Sequence, residues 1–229
     1  MTEHAVPHFQ EELELLKERL LTMGGMAEEQ VRSVIGALVD RERDLLAEIE
    51  AGDEPINRLQ VEIDNLAFRL LALHQPMAVD LRTIVAAIKI NADLERVGDL
   101  AVNIAQAAER YLDHPPVKPL VDLPRMAGIA QRMLREALDS YVRRDTDLAQ
   151  AVLAQDDDLD ALKTQVFREL LTYMFQDPGT IAPSLELILV SRHLERIGDH
   201  ATNIAEDVIF MVSARDVRHA LDDDALRRR

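Results

Sequence analysis

Apolar residues recur at intervals of three and four along nearly the whole chain, with polar residues between them. The first such stretch covers residues 8–50, and this spacing places apolar side chains on one face of an α-helix. Gly24-Gly25 interrupts the pattern, but we predict a continuous helix there and a break near Asp40–Asp44. No stretch alternates in the manner of a β-strand, so the pattern predicts an all-α protein.

Prolines divide the rest of the chain into further predicted helices, at about 54–75, 78–112, 121–143, 147–175 and 181–213. Pro55 suits the first turn of a helix, and Pro76 disfavours helix at the residue before it. Three prolines between Asp113 and Pro119 mark the clearest linker. The prediction is a tandem duplication of three-helix bundles, residues 1–114 and 119–215. A charged tail, 216–229, is interpreted as a frayed terminus.

The duplication is visible in the sequence itself. Leu-Glu-Arg-Val-Gly-Asp at 94–99 returns as Leu-Glu-Arg-Ile-Gly-Asp at 194–199, and nine of twelve positions are identical between 94–105 and 194–205. A match of this length at a spacing of one hundred residues indicates two copies of one unit.

Each copy keeps a polar row, because residues four apart on a helix lie on one face. We name Glu95, Asp99 and Asn103 the first acidic row, and Glu195, Asp199 and Asn203 the second acidic row. Asp64 and Asp160 hold matching places on the middle helices and could complete each site. The opposite side is predicted to lie in the core: Ile90, Leu94, Val97, Ala101 and Ile104, and Val190, Leu194, Ile197, Ala201 and Ile204.

One interpretation of the rows is metal binding, because hard cations prefer carboxylate and amide oxygens. Gly98 and Gly198 each cost about 1 kcal/mol relative to Ala in a helix. A glycine would let a ligand or a neighbouring helix approach closely.

The other interpretation is structural ion pairing at i,i+3. Arg96 precedes Asp99 by three residues, as Arg196 precedes Asp199, and Arg192 stands three residues before Glu195. The residues alone leave both interpretations open.

Other features of the two copies are weaker candidates. His193 and His200 flank the second row without counterparts in the first, and are interpreted as surface residues. Asp156-Asp157-Asp158 suits the start of a helix, where acidic groups favour the dipole. Apolar residues precede each row on the same side and suggest an interface: Leu81, Ile84 and Ile88, and Ile181, Leu185 and Ile188.

Composition narrows the class of partner. The net charge of −16 disfavours nucleic acid and anionic membrane surfaces. The absence of cysteine excludes disulfides and thiolate metal sites. The N-terminus lacks the features of a signal peptide, and no apolar stretch approaches the roughly 20 residues that span a bilayer. We therefore expect a soluble cytoplasmic protein that does not insert into the membrane.

The two Leu-Glu-Arg-(Val/Ile)-Gly-Asp segments resemble the repeated acidic motif of the PhoU family of bacterial phosphate regulators. The resemblance extends over about 8–219. It includes Thr22-Met23-Gly24-Gly25-Met26, Gln75-Pro76 with Asp80-Leu81-Arg82, and Leu171-Thr172-Tyr173-Met174.

The resemblance implies two similar three-helix bundles, a homodimer, and a cytoplasmic negative regulator that is not an enzyme. Its expected partners are the ATPase of the phosphate ABC transporter and a sensor histidine kinase. It also implies that iron, manganese or magnesium ions bind the acidic motifs. Carried over, the candidate ligands are Glu95, Asp99, Asn103 and Asp64, and Glu195, Asp199, Asn203 and Asp160.

Two other classes of protein fit these residues less well. A metal-dependent helical enzyme would need an open coordination position and a base near its substrate, and no histidine accompanies both rows. A helical scaffold without metal gives no reason for twin glycine-containing acidic rows.

Overall fold

The structure, a computed structural model, describes residues 5–51, 54–215 and 217, with side chains from His8 onward except at 51. Within these ranges its regular elements are all helices, in agreement with the predicted all-α class. They are α1 (Ala5–Asp40), α2 (Arg43–Ala51), α3 (Glu54–His74), α4 (Ala78–Leu112), α5 (Asp122–Arg143), α6 (Thr146–Leu153), α7 (Asp156–Gln176), a 3-10 turn (Pro178–Thr180) and α8 (Ile181–Ser213). The predicted tail lies almost wholly outside the described residues.

Helix α1 runs unbroken through Gly24-Gly25, as predicted. A side chain at Gly24 would collide with Leu138 of α5, whereas Gly25 faces open space. Gly24 therefore permits a close approach between α1 and α5. The predicted break after α1 is also confirmed, at Arg41, whose φ is 59°. The Arg41 guanidinium donates hydrogen bonds to the carbonyl oxygens of Leu112 and His114.

The prediction of one helix over 147–175 is wrong. Helix α6 ends at Leu153, Ala154 and Gln155 form a turn, and α7 starts at Asp156. The Gln155 side chain is held by α5, because it accepts a hydrogen bond from Arg132 at 3.1 Å and donates one to Glu136 at 2.6 Å. The three aspartates at 156–158 form the first turn of α7, as their favourable interaction with the helix dipole predicts.

Helices α1, α3 and α4 form the first bundle, and α5, α7 and α8 form the second, with the short α2 and α6 packed alongside. The two bundles meet where α4 packs on α8 and α1 on α5. The buried apolar residues form one continuous cluster through both bundles. Every residue of the two predicted core stripes is fully buried, so each acidic row faces away from the core of its bundle.

Helices α4 and α8 run antiparallel, because the residue number on one helix falls as its partner's number on the other rises. The contacts are Arg82 to the Met211 carbonyl, Lys89 to Asp207, Asp93 to His200 and Arg110 to Glu186. Near Gly98 and Gly198, this pairing brings equivalent positions of the two repeats opposite each other. An approximate twofold axis therefore crosses the pair there, perpendicular to the plane of the two helices. It places the two acidic rows on the same face of the pair.

No helix in the described ranges combines the length and the apolar character that crossing a bilayer would require.

Candidate functional site

The first acidic row lies along the outer side of α4. Glu95 and Asp99 are half-buried and Asn103 is exposed. Asp64 of α3 lies beside this side of the helix and accepts a hydrogen bond from Asn91 Nδ2 at 2.9 Å. The buried Asn91 also donates to the carbonyl oxygen of Gln60 at 2.9 Å. Sequence reasoning missed Asn91, although it stands four residues before Glu95 and so extends the row.

Ion pairing in the first row is confirmed. Arg96 Nη1 lies 2.7 Å from Asp99 Oδ2, and Arg96 Nε lies 3.4 Å from Glu95 Oε2. The arginine thus covers both carboxylates of its own row from the solvent side. Exposed pairs of this kind contribute little to stability.

The second row is paired differently. Lys163 Nζ of α7 donates to Asp160 Oδ1 and to Glu195 Oε1, each at 2.6 Å. The expected i,i+3 pairs of Arg196 with Asp199 and of Arg192 with Glu195 do not form among the described residues. The lysine reaches Glu195 from the neighbouring helix, and an argument confined to α8 could not find it. In the sequence, this lysine was indicated by its position three residues after Asp160.

Negative charge is concentrated between α7 and α8. Burial, then the charges of Glu195 and Asp160, raise the pKa of Asp199. Burial, then the charges of Asp199, Asp160 and Glu195, raise the pKa of Asp156. Four carboxylates therefore share the neighbourhood of one ammonium group, Lys163. Such a site favours uptake of either protons or a further cation.

The donor chemistry of both rows suits a hard cation. However, within the ranges that the structure describes, no three His, Asp or Glu side chains converge in a geometry that would hold a metal ion. Binding at the second row would require Lys163 to move away from Glu195. Binding at the first row would require Arg96 to release Asp99. The metal assignment stays a prediction.

The glycines of the two motifs are buried and lie on the core side of their helices. A Cβ atom on Gly198 would lie 2.5 Å from Leu159 Cδ2 and 3.6 Å from Met133 Cε. Gly198 therefore lets α7 approach α8. Of the two expectations for this residue, a close helix contact agrees with the structure.

The prediction that His200 is a surface residue is wrong. Its Nδ1 lies 2.8 Å from Asp93 Oδ1, and the histidine side chain is only 17% exposed. Asn203 Nδ2 approaches the same aspartate oxygen at 3.4 Å. The antiparallel pairing of α4 and α8 brings these three residues together at the seam between the bundles. His193 is also partly buried, and burial, then Arg196, Arg192 and Arg110, lower its pKa.

The expected apolar face beside each row exists only in part. Ile84 is fully buried, and Ile88 and Ile188 pack against the core. Leu81, Ile181 and Leu185 remain exposed, near the ends of α4 and α8. The axis places these exposed residues at opposite ends of the α4–α8 face.

The fold and site define a tandem-repeat helical protein with one acidic row in each repeat. The PhoU domain model matches residues 20–108 and 123–208. The chain belongs to the PhoU family.

Relatives of similar length match nearly the whole of this chain. A "phosphate-specific transport system accessory protein PhoU homolog" of Caulobacter vibrioides is 45% identical over 218 residues, which is 95% of each chain. A homolog of the same description from Pseudomonas aeruginosa is 40% identical over 220 residues, covering 96% of this chain and 91% of the relative.

Solved structures agree with the fold. The crystal structure of PhoU from Pseudomonas aeruginosa superposes with a TM-score of 0.85 at 40% identity, covering 90% of this chain and all of the other. The phosphate transport system regulatory protein PhoU from Streptococcus pneumoniae gives a TM-score of 0.83 at 26% identity. That match covers 91% of this chain and 99% of the other.

Proposed function

We propose that this protein is an accessory protein of phosphate transport. Within that role it acts in the cytoplasm as a negative regulator of phosphate uptake and of phosphate-starvation signalling. The observation that carries the proposal is the match of nearly the whole chain to relatives named as phosphate-specific transport accessory proteins. The match includes both copies of the acidic motif, since the family model covers each of them.

The mechanism is that of an adaptor. The chain binds the ATPase of the phosphate ABC transporter and a sensor histidine kinase, and holds the kinase in its signal-off state when phosphate is plentiful. A ligand shifts such an equilibrium only by its differential affinity for the two states, so the chain binds the signal-off state more tightly. The two acidic rows supply exposed polar features on one face for this contact. The proposal includes a homodimer as the acting form.

The adaptor acts without catalysis of its own. No histidine accompanies both acidic rows, so the two copies of the motif do not share a candidate general base. The carboxylates of the two rows lie on the outer sides of their helices, where an adaptor needs contact residues.

Metal binding is the finer part of the proposal. Iron, manganese or magnesium ions would be held by Asp64, Glu95, Asp99 and Asn103 in the first site, and by Asp160, Glu195, Asp199 and Asn203 in the second. A metal bound by carboxylates of both helices would link α3 to α4 and α7 to α8. It would so rigidify the surface that carries the two acidic rows. Carboxylates on neighbouring helices and the raised pKa values of Asp156 and Asp199 support this role.

The adaptor proposal is tested by deleting the gene in its host and measuring a phosphate-starvation reporter in high phosphate. We expect the deletion to release the reporter and the wild-type gene to silence it. The Glu95→Ala/Glu195→Ala variant should fail to silence it at equal protein level. Glu11→Ala/Glu62→Ala, which removes two exposed carboxylates elsewhere, is the matched control. A deletion that leaves the reporter silent in high phosphate would remove the proposal.

Metal binding is tested separately by elemental analysis of protein purified without chelator or affinity metal. Stoichiometric metal in the wild type that is lost in Asp99→Ala/Asp199→Ala would assign it to the rows. A metal-free wild type that still binds the transporter or the kinase would end the metal proposal and leave the adaptor intact.

A further inference from the structure

A groove of about 670 Å³ lies between α7 and α8 in the second repeat. Phe167 and Ile188 supply apolar surface in it, and Phe167 is 45% exposed. Arg192 and Arg196 line it from α8, one helical turn apart. The groove thus combines an exposed aromatic ring with two guanidinium groups.

The two arginines have no hydrogen-bond or ion-pair partner within the described part of the chain, although carboxylates lie close in sequence. Glu195 Oε1 instead pairs with Lys163 Nζ at 2.6 Å. In the first repeat, by contrast, Arg96 forms ion pairs with Asp99 and Glu95. The second repeat therefore offers guanidinium groups that the first repeat does not.

The groove is a departure from the duplicated plan. The counterparts of Lys163 and Phe167 in the first repeat are Ala67 and Leu71, and the counterpart of Arg192 is Ala92. The second repeat thus carries two additional cations and an aromatic ring at one place. In a chain of net charge −16, the groove lining sets Lys163, Arg192 and Arg196 against Glu195 and Asp199. Its arginine side is the part that complements an anionic group.

We propose that the α7–α8 groove docks an acidic segment of a partner protein. An apolar side chain of the segment packs on Phe167 and Ile188, and its carboxylates bind Arg192 and Arg196. The inference rests on the proposed adaptor function and names the face of the chain that holds a partner. Tyr, Trp, Phe and Arg are the residues that most often dominate protein interfaces, and here Phe and Arg stand together.

The neighbouring acids restrict the occupant. Glu195 and Asp199 line the same groove and repel an anion that brings charge alone. Contact with Phe167 must therefore supply part of the affinity, which favours a peptide segment over a small inorganic anion. The same acids fix the orientation, because the charged end of the segment must lie toward the arginines.

The test uses the full chain and a fluorescein-labelled peptide of glutamates around a central Leu-Leu pair, followed by fluorescence anisotropy. We expect saturable binding that weakens with salt. Replacing the glutamates with lysines, or the leucines with serines, should abolish it. Inorganic phosphate should not compete. Failure of the acidic peptide to bind, equal binding of the lysine peptide, or competition by phosphate would each overturn the proposal.

Variants localise the binding to the groove. Arg192→Glu/Arg196→Glu should weaken the peptide affinity by about tenfold or more, and Phe167→Ser should weaken it several-fold. Arg58→Glu/Arg125→Glu makes the same change in net charge elsewhere, and Phe68→Ser removes an exposed phenylalanine of α3. Both controls should bind as the wild type does. Equal losses in the controls would overturn the proposal, with circular dichroism confirming that all four variants fold.

The same variants separate this inference from the adaptor function. If the purified transporter ATPase or kinase binds the wild type and binds Arg192→Glu/Arg196→Glu equally well, the groove proposal fails while the adaptor proposal stands. If neither protein binds the wild type, the adaptor proposal fails. Peptide binding that is lost only in the groove variants then still establishes the groove as an acidic-segment site.

Discussion

Lys163 of α7 and Glu195 of α8 join the two helices of the second repeat through a contact of 2.6 Å. The first repeat has the buried Ala67 in place of the lysine. The two acidic rows therefore share a sequence motif but differ in electrostatic environment. The second row carries an internal cation that any metal must displace.

Replacing Lys163 with alanine should strengthen metal binding at the second row. The lysine competes for Glu195 and Asp160, so its removal frees both carboxylates. We expect the affinity for Mn²⁺ to rise by roughly fivefold, because a partly buried charge pair contributes on the order of 1 kcal/mol. Titration calorimetry on chelator-treated protein measures the change. Arg58→Ala, which removes an exposed pair with Glu54, should leave the Mn²⁺ affinity unchanged, and no gain in Lys163→Ala would contradict the prediction.

Asp199→Asn should stabilise the metal-free protein at neutral pH. A carboxyl group whose pKa is raised on folding stabilises the native state below its ordinary value of 3.8 and loses that contribution as the pH rises through the raised pKa. The asparagine side chain does not ionise, so the variant does not lose stability as the pH rises. Because Asp199 is only partly buried, we expect a gain of only a few tenths of a kcal/mol.

The pH dependence and a matched variant check this expectation. Urea unfolding with chelator present should show the gain of Asp199→Asn at pH 7 and its disappearance below the ordinary pKa of the carboxyl group. Asp99→Asn should show no gain, because Asp99 is paired with Arg96 at 2.7 Å. A gain that persists at acid pH would mean that charge repulsion is not its cause.

Gly198→Ala should destabilise the fold despite the better helix propensity of alanine. The new Cβ atom would lie 2.5 Å from Leu159 Cδ2, so the fully buried leucine would have to shift within the core. Overpacking costs about 1–3 kcal/mol, and the propensity gain returns about 1. Gly25→Ala, where nothing lies within 4 Å, should instead stabilise by about 0.5–1 kcal/mol. Denaturation by urea compares the two, and stabilisation in both would refute the close contact.

Lys89→Met should weaken the junction of the two bundles. Lys89 lies 2.6 Å from Asp207, whose side chain is only 9% exposed. Removing one member of a buried pair is strongly destabilising, but Lys89 is 38% exposed, so we expect a loss of about 1–2 kcal/mol. Arg58→Met, which breaks a pair in which Arg58 is 65% and Glu54 is 85% exposed, should cost less than about 0.5 kcal/mol. Thermal unfolding of both variants measures the difference, and equal losses would show that Asp207 does not need the lysine.

Periodicity predicted the features that depend on a single helix. The core stripe through Leu94 and Val97, and the row through Glu95 and Asp99, follow from 3.6 residues per turn. Because the chain is a duplication, the core stripe and the acidic row each appear twice in the sequence. The break before α7 was missed because Ala154-Gln155 contains neither Gly nor Pro, and the contact that holds it comes from α5.

Contacts between helices could not be read from spacing. Lys163 reaches Glu195 from another helix, and His200 meets Asp93 from the other bundle. Both pairs depend on how the helices pack, which sets residues 32 positions apart against each other in the first pair and residues 107 positions apart in the second. The i,i+3 rule predicted the pair of Arg96 with Asp99 correctly and the pair of Arg196 with Asp199 wrongly. In the second repeat, the neighbouring lysine changes the local balance of charge.

The most direct test of the adaptor claim is mass photometry of the purified chain with the transporter ATPase and the cytoplasmic part of the sensor kinase. The account predicts a complex that contains all three proteins at high phosphate. Glu95→Ala/Glu195→Ala should reduce it, whereas Glu11→Ala/Glu62→Ala should not. A chain that binds neither protein, or that binds each only in the absence of the other, would contradict the account.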